Sequence, residues 1–182
     1  MDVEKTFIDE CYLLHPKKYE DNRGYFFESF NNSEFCNLIE GEISFIQDNQ
    51  SHSKYGVLRG LHYQSGKFAQ AKLVRVLNGE ILDIVLDLRK HSPTFGKHFS
   101  TVLSSQNMVQ LYVPKGMAHG FVVLSDSADV FYKVDNVYEP KSEGGILYND
   151  PDLNIDWKIN KSDIIINEKD LKLNTWKEYL DK

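Results

Sequence analysis

Several polar side chains stand where alternation along β-type runs puts apolar neighbours. Gln47 and Asn49 share the parity of Phe45, Lys72 that of Val74 and Val76, and Tyr132 that of Val130 and Val134. His62 lies two residues from Gly60 and four from Leu58, again on a mainly apolar face. One such residue alone is ordinarily a satisfied core or surface group. Several together need several partners, because each buried polar group must be matched. A closed or sandwiched β fold turns one face inward, so these groups are expected to converge on a cavity. Arg59 falls on the face opposite His62 under strict alternation; either Gly60 admits a local bulge or Arg59 acts elsewhere.

Other chemistries lack their marks. The histidines are His15, His52, His62, His91, His98 and His119, with no close pair of the HxH kind. His62 and His119 could meet in space, but no third ligand accompanies them, so no metal is expected. There is no GxSxG, neither cysteine lies in a nucleophile motif, and no glycine-rich dinucleotide fingerprint follows a strand.

The elements that must position these groups are mostly short strands. Runs at Ser44–Asn49, Val57–Tyr63, Phe99–Leu103, Met108–Val113, Gly120–Leu124 and Asp129–Val134 are separated by turn signals such as Ser92-Pro93-Thr94-Phe95-Gly96 and Pro114-Lys115-Gly116. Asn78-Gly79, between Lys72–Leu77 and Glu80–Leu88, predicts a hairpin with a type I′ turn. One helix is expected after the caps Asn31-Asn32-Ser33, with Phe35, Leu38 and Ile39 at helical spacing and Gly41 as its end. A second short helix is expected around Thr175–Leu180. Many short strands without alternating helices predict an all-β antiparallel sandwich or barrel. We expect one domain over residues 1–182, a core of about 6–157 and an appendage of about 158–182.

Composition agrees with that class. The 182 residues are 41% hydrophobic, enough for one proper core, and the net charge of −6 leaves no basic surplus for nucleic acid or an anionic membrane. The longest apolar runs are four residues, such as Phe121 to Leu124, against the ~20 a spanning helix needs. Cys11 and Cys36 have no metal spacing and suggest no disulfide framework; with no signal pattern at Met1-Asp2-Val3-Glu4-Lys5, the expected compartment is the cytoplasm.

Gln47-Asp48-Asn49 followed by Gly56-Val57-Leu58-Arg59-Gly60-Leu61-His62-Tyr63-Gln64 carries a specific likeness. It continues through Asp21-Asn22-Arg23-Gly24, Ala69-Gln70-Ala71-Lys72, Pro114-Lys115-Gly116-Met117-Ala118-His119-Gly120-Phe121, Tyr132-Lys133 and Glu143-Gly144-Gly145, in order and over nearly the whole chain. The chain resembles the dTDP-4-dehydrorhamnose 3,5-epimerases, cupin-like jelly-roll enzymes of deoxysugar biosynthesis. Asn167-Glu168-Lys169-Asp170 departs from a pattern that usually carries Ser at its first position.

The resemblance implies an antiparallel jelly-roll barrel, a homodimer, and a nucleotide-linked 6-deoxy-4-ketohexose as substrate. C3 and C5 flank the C4 carbonyl, so their hydrogens are weakly acidic. Inversion needs a base, an enolate stabiliser and an acid on the opposite face, with no cofactor and no metal. By resemblance His62 is the base, Asp170 the carboxylate that pairs with it, Lys72 the cation at the oxyanion and Tyr132 the opposite-face acid. Arg23 and Arg59 match positions near the diphosphate, Phe26 and Tyr138 the aromatics that pack on thymine, Gln47 and Asn49 polar groups around the nucleotide, and Asp48 and Glu28 further substrate-binding positions. His119, Glu143 and Lys169 match further ligand-binding positions, His119 toward either the substrate or the diphosphate. The same residue set leaves open a 3-epimerase, or an epimerase of another nucleotide sugar. A non-catalytic sugar-nucleotide binding cupin would lack the His, Asp, Lys and Tyr set, and a 3,4-ketoisomerase would arrange its histidines differently.

Overall fold

Alternating apolar and polar residues, punctuated by glycine and proline turns, form thirteen strands among residues 1–181, which the computed structural model describes. They are β1 (Asp2–Lys5), β2 (Tyr12–His15), β3 (Tyr19–Asp21), β4 (Gly24–Phe26), β5 (Gln47–Lys54), β6 (Leu58–Gln64), β7 (Lys72–Asn78), β8 (Glu80–Asp87), β9 (His98–Ser104), β10 (Gln110–Val113), β11 (Met117–Val123), β12 (Ser127–Val134) and β13 (Glu143–Gly145). Helices α1 (Asn32–Leu38) and α2 (Trp176–Leu180) complete them, with four short 3₁₀ turns. A six-stranded sheet runs β1-β2-β10-β7-β12-β5 and a five-stranded sheet β13-β6-β11-β8-β9, every pairing antiparallel. The two face each other as the all-β jelly roll, and β3 and β4 form a separate hairpin.

Between the sheets lies a core that includes Val74 and Val76 of β7, Ile81 and Val85 of β8, Phe121 and Val123 of β11, and Val130 of β12. Each sheet is also covered on its other side. Leu82, Ile84 and Leu86 of β8 pack with Leu58, Leu61, Ile146 and Trp157, under the C-terminal segment. Leu73 and Tyr112 pack with Phe35 of α1. β8 is therefore apolar on both faces, and nearly every residue in it is buried. Asp83 shares the parity of Ile81 and Val85, so this fully buried carboxylate faces the space between the sheets.

The Asn78-Gly79 hairpin does not form. β7 belongs to one sheet and β8 to the other, so the dipeptide is a corner between layers. A type I′ turn needs positive φ at both central residues, and here only Gly79 has it, at 79°. A Cβ on Gly79 would lie 2.0 Å from the Ser127 carbonyl oxygen. The glycine is there for that close approach as well as for its φ.

α1 is capped as expected by Asn31, whose side chain accepts the Glu34 N–H, but Glu40 rather than Gly41 takes the left-handed conformation after it, at φ 52°. α2 starts at a capping box of Thr175 with Glu178. The predicted run at Ser44–Asn49 is displaced: the strand starts at Gln47 and continues to Lys54. Among the described residues no helix is long and apolar enough to cross a membrane.

Candidate active site

The cavity between the sheets has two connected parts. An outer one of about 360 Å³ is lined by Gln47, Asn49, His62, Lys72, Tyr132, Tyr138 and Glu143, with Tyr63, Gln64 and Gln70. An inner one of about 190 Å³ shares His62, Lys72 and Tyr132 and adds Ser51, Arg59, His119, Asn167 and Asp170. Together they are on the scale of a small-molecule site. β7 supplies Lys72 and β12 supplies Tyr132; these strands are neighbours, with Tyr132 opposite Val74 and Val134 opposite Lys72.

β6 places its groups by breaking alternation. Arg59 pairs with Phe121 and His62 with His119, so Gly60 and Leu61 together stand opposite Gly120 alone. This is the bulge that Gly60 was expected to allow. It turns Arg59 and His62 to the same cavity while Leu58 and Leu61 pack on the far side of the sheet. Simple parity had grouped His62 with Leu58; the extra residue reverses that. Gly60 has φ 115°, and a Cβ on it would sit 2.6 Å from the Gly120 Cα, so neither strand tolerates a side chain here.

His62 Nε2 lies 2.8 Å from Asp170 Oδ1. A carboxylate can only accept, so Nε2 carries the proton and Nδ1 is the nitrogen left to take another. Asp170 is fully buried and is itself fixed: its Oδ2 accepts the Gly60 N–H at 3.2 Å, and its N–H donates to Asn167 Oδ1 at 2.7 Å. Asn167, which stands where the resembled pattern has Ser, thus supplies the side-chain acceptor that a serine hydroxyl could also provide.

A second imidazole–carboxylate pair lies next to the first. His119 Nε2 donates to both oxygens of Asp83 at 2.9 Å, and both residues are buried. Asp83 was not read from the sequence, although a carboxylate at inward parity in the run Ile81–Leu86 was its signal.

Lys72 is half-buried, its accessible surface being that of the cavity, and its ammonium has no ion-pair partner within 4.0 Å among the described residues. Burial lowers its pKa from 10.5 to about 8, with Asp83 and Glu143 pulling the other way. Burial pushes the Tyr132 phenol up, with Arg59 opposing. Arg59 is held by its Nε, which donates to Ser53 Oγ at 3.1 Å.

At the mouth, Glu143 accepts from the Tyr138 hydroxyl at 2.8 Å and from Lys169. Burial alone would raise its carboxyl; the Lys169 and Tyr138 hydrogen bonds outweigh that and hold it below the usual range. Gln47 Nε2 donates to Asn49 Oδ1 at 2.8 Å. Asp48, of opposite parity, leaves the cavity and pairs with Lys133 at 2.9 Å.

Besides Asp48, three expected binding residues are not brought to this cavity. Arg23 and Phe26 lie on the β3–β4 hairpin, with the Arg23 side chain 86% exposed and bound, among the described residues, only to Asp21, and Phe26 69% exposed. Glu28 is exposed and accepts from Asn31 at 3.4 Å. Among the described residues no group of three His, Cys, Asp or Glu is placed to hold a metal ion.

With this geometry in hand, the chain was compared with known proteins. Residues 5–178 match the sequence model of the family described as dTDP-4-dehydrorhamnose 3,5-epimerase. A dTDP-4-dehydrorhamnose 3,5-epimerase from Salmonella typhimurium is 50% identical over 161 residues, 88% of either chain. The crystal structure of a dTDP-4-dehydrorhamnose 3,5-epimerase from Elizabethkingia anophelis superposes with a TM-score of 0.95 at 50% identity, covering 98% of this chain and 97% of that one. A dTDP-6-deoxy-D-glucose-3,5-epimerase from Legionella pneumophila, solved in complex with dTDP-4-keto-L-rhamnose, superposes with a TM-score of 0.91 at 45% identity, covering 96% and 92%.

Proposed function

The chain belongs to the dTDP-4-dehydrorhamnose 3,5-epimerase family, and from that premise we propose how its own residues invert C3 and C5 of dTDP-4-dehydro-6-deoxy-D-glucose to give dTDP-4-dehydro-L-rhamnose. The observation that carries the reading is the His62–Asp170 pair at 2.8 Å, opening onto a cavity that Lys72 and Tyr132 also line. His62 Nδ1 takes the proton from the carbon next to the C4 ketone, and the C–H electron pair moves into the enolate. Asp170 stabilises the imidazolium that results. The Lys72 ammonium faces the developing oxyanion, where a fixed charge in a poorly hydrated cavity acts strongly. Tyr132 then returns a proton to carbon from the opposite face, and its phenol, kept protonated by burial, is in the right state to do so.

Arg59 serves the diphosphate, Tyr138 with Gln47 and Asn49 the nucleotide, and His119, Glu143 and Lys169 make further ligand contacts. Residues 158–181 act as part of the same domain, because Asp170 reaches the cavity from there and Lys169 bonds Glu143 at its mouth. We further propose a homodimer, in which Arg23, Phe26 and Glu28 of one copy complete the nucleotide end of the other. Their exposure on and beside a hairpin outside their own cavity supports that arrangement. The two free cysteines fit the reducing conditions of the cytoplasm.

The test is incubation with dTDP-4-keto-6-deoxy-D-glucose in D2O. Deuterium at both C3 and C5, with the L-configured product, is the expected result. Exchange at C3 alone would make the protein a 3-epimerase, and no exchange at either carbon would sink the reading. Sedimentation as a monomer at micromolar concentration would overturn the dimer.

A further inference from the structure

The inward face of β5 carries a ladder of three small polar residues, Asn49, Ser51 and Ser53. Asn49 is engaged by Gln47 at 2.8 Å and Ser53 by the Arg59 Nε at 3.1 Å. Ser51, between them, differs. Its Oγ is buried and has no hydrogen-bond partner, the one such side-chain atom found among the described residues. It lines the inner cavity together with Arg59, His62, Lys72, His119 and Tyr132. Ser51 is the register partner of Val130, and Asn49 that of Tyr132, so Ser51 lies one inward position along the sheet from the phenol on the next strand.

A buried hydroxyl left unmatched is unfavourable, and native proteins rarely keep one without use. Apolar alternatives were open at this position, since the neighbouring inward residues of β12, Val130 and Ala128, are apolar and belong to the core. The surrounding groups include two cations for negative oxygens, two imidazoles backed by carboxylates, and the Tyr132 phenol assigned to the proton return. Ser51 adds a neutral hydroxyl with no protein partner, able to both donate and accept, the match for a sugar hydroxyl.

We propose that Ser51 is a substrate-positioning residue whose Oγ hydrogen-bonds a hydroxyl of the hexose ring in the inner cavity. This rests on the epimerase reading above and adds a contact to the sugar rather than to the nucleotide. By holding the ring from the β5–β12 wall, it fixes the ring's placement between His62 and Tyr132.

Ser51→Ala removes the oxygen alone. Because that oxygen has no partner in the free protein, the variant should melt at the same temperature or slightly higher. Affinity for dTDP should not change, while affinity for dTDP-glucose and kcat/KM for the 4-keto substrate should fall about three- to tenfold, the worth of one neutral hydrogen bond. Ser51→Thr, which keeps a hydroxyl, should recover part of the loss. A melting temperature several degrees lower would mean that the hydroxyl is structural, and an equal loss for dTDP would place it at the nucleotide; either overturns the proposal, as does a dTDP-glucose affinity that does not change. Should the unmodified protein fail to exchange deuterium, the epimerase reading falls, and the two binding measurements still decide the Ser51 contact by themselves.

Discussion

Lys72 offers the sharpest test of how the site trades stability for chemistry. Burial lowers its pKa from 10.5 to about 8. At about 1.4 kcal/mol per pH unit, holding the ammonium charged in the folded protein at neutral pH costs about 3 kcal/mol relative to the unfolded chain. Lys72→Met keeps most of the volume and removes the charge, so it should raise stability at pH 7 by up to that amount and abolish turnover. The sign with pH follows from linkage. Below about 8 both states hold the proton and the penalty is complete. Between about 8 and 10.5 the unfolded chain keeps the proton and the folded protein loses it, so the unmodified protein gains stability relative to the variant. Tyr112, whose phenol burial pushes up, stays protonated in the folded protein through this window while the unfolded chain's phenol begins to ionise, so the quantity to measure is the difference between the two proteins. Urea denaturation of both at pH 7 and pH 10 gives it. In parallel, kcat/KM of the unmodified protein should fall as pH rises through about 8, since it reports the free enzyme and only the ammonium can stabilise the enolate. A Lys72→Met variant that is less stable at pH 7, or a stability difference that does not shrink toward pH 10, would refute the reasoning.

Asp170→Asn preserves shape but removes the charge behind His62, and deuterium exchange should drop by between about 10² and 10⁴; a loss under tenfold would show that the pair does not support the base. His62→Ala should abolish exchange at both carbons, whereas Tyr132→Phe should leave proton removal measurable and yield less L-configured product than its exchange rate implies, most visibly at C5. Equal rates of exchange and inversion in Tyr132→Phe would remove the phenol from its role. Gly79→Ala should destabilise by more than about 3 kcal/mol, because it combines a positive φ with a contact at 2.0 Å to the Ser127 carbonyl; an unchanged urea midpoint would mean that the corner is not as rigid as its geometry implies.

Where a strand buries apolar residues, the sequence was readable, and the runs around β6, β7, β8, β11 and β12 fall close to their places. The misreadings concentrate at the site. β5 looked like a strand only as far as Asn49, because Gln50–Lys54 has no apolar alternation. Its inward face is instead the polar lining of the cavity, and its outward face is exposed on the sheet's edge. A strand selected to hold ligand cannot show the pattern of one selected to fill a core. The Asn78-Gly79 dipeptide was misjudged for another reason: local turn preference cannot tell a hairpin from a corner, which is decided by the sheet each strand joins. Asp170 could not be found from spacing at all, since 108 residues separate it from His62; only the resemblance pointed to it. Asp83 had a local signal, a carboxylate among inward apolar residues, and it is paired with His119 as such a residue must be.

The arrangement of charge explains how an acidic protein can hold an anionic substrate. Of the groups placed in and around the cavity, Asp83, Asp170 and Glu143 carry negative charge and Arg59, Lys72 and Lys169 positive charge, so their formal sum is zero. Attraction for a diphosphate therefore comes from position rather than surplus. Asp83 and Asp170 are fully buried and lie behind His119 and His62, each a hydrogen-bond acceptor to a ring nitrogen. Arg59 and Lys72 present accessible surface to the cavity, whereas Asp170, though it borders the inner part, presents none. A ligand entering between the sheets thus meets guanidinium, ammonium and imidazole before it meets any fully buried carboxylate. The same depth ordering keeps the carboxylates available to the imidazoles, which need them most when a proton has just been taken. The β6 bulge is what permits this, because without it Arg59 would face the C-terminal segment and the cavity would lose one of its two inner cations.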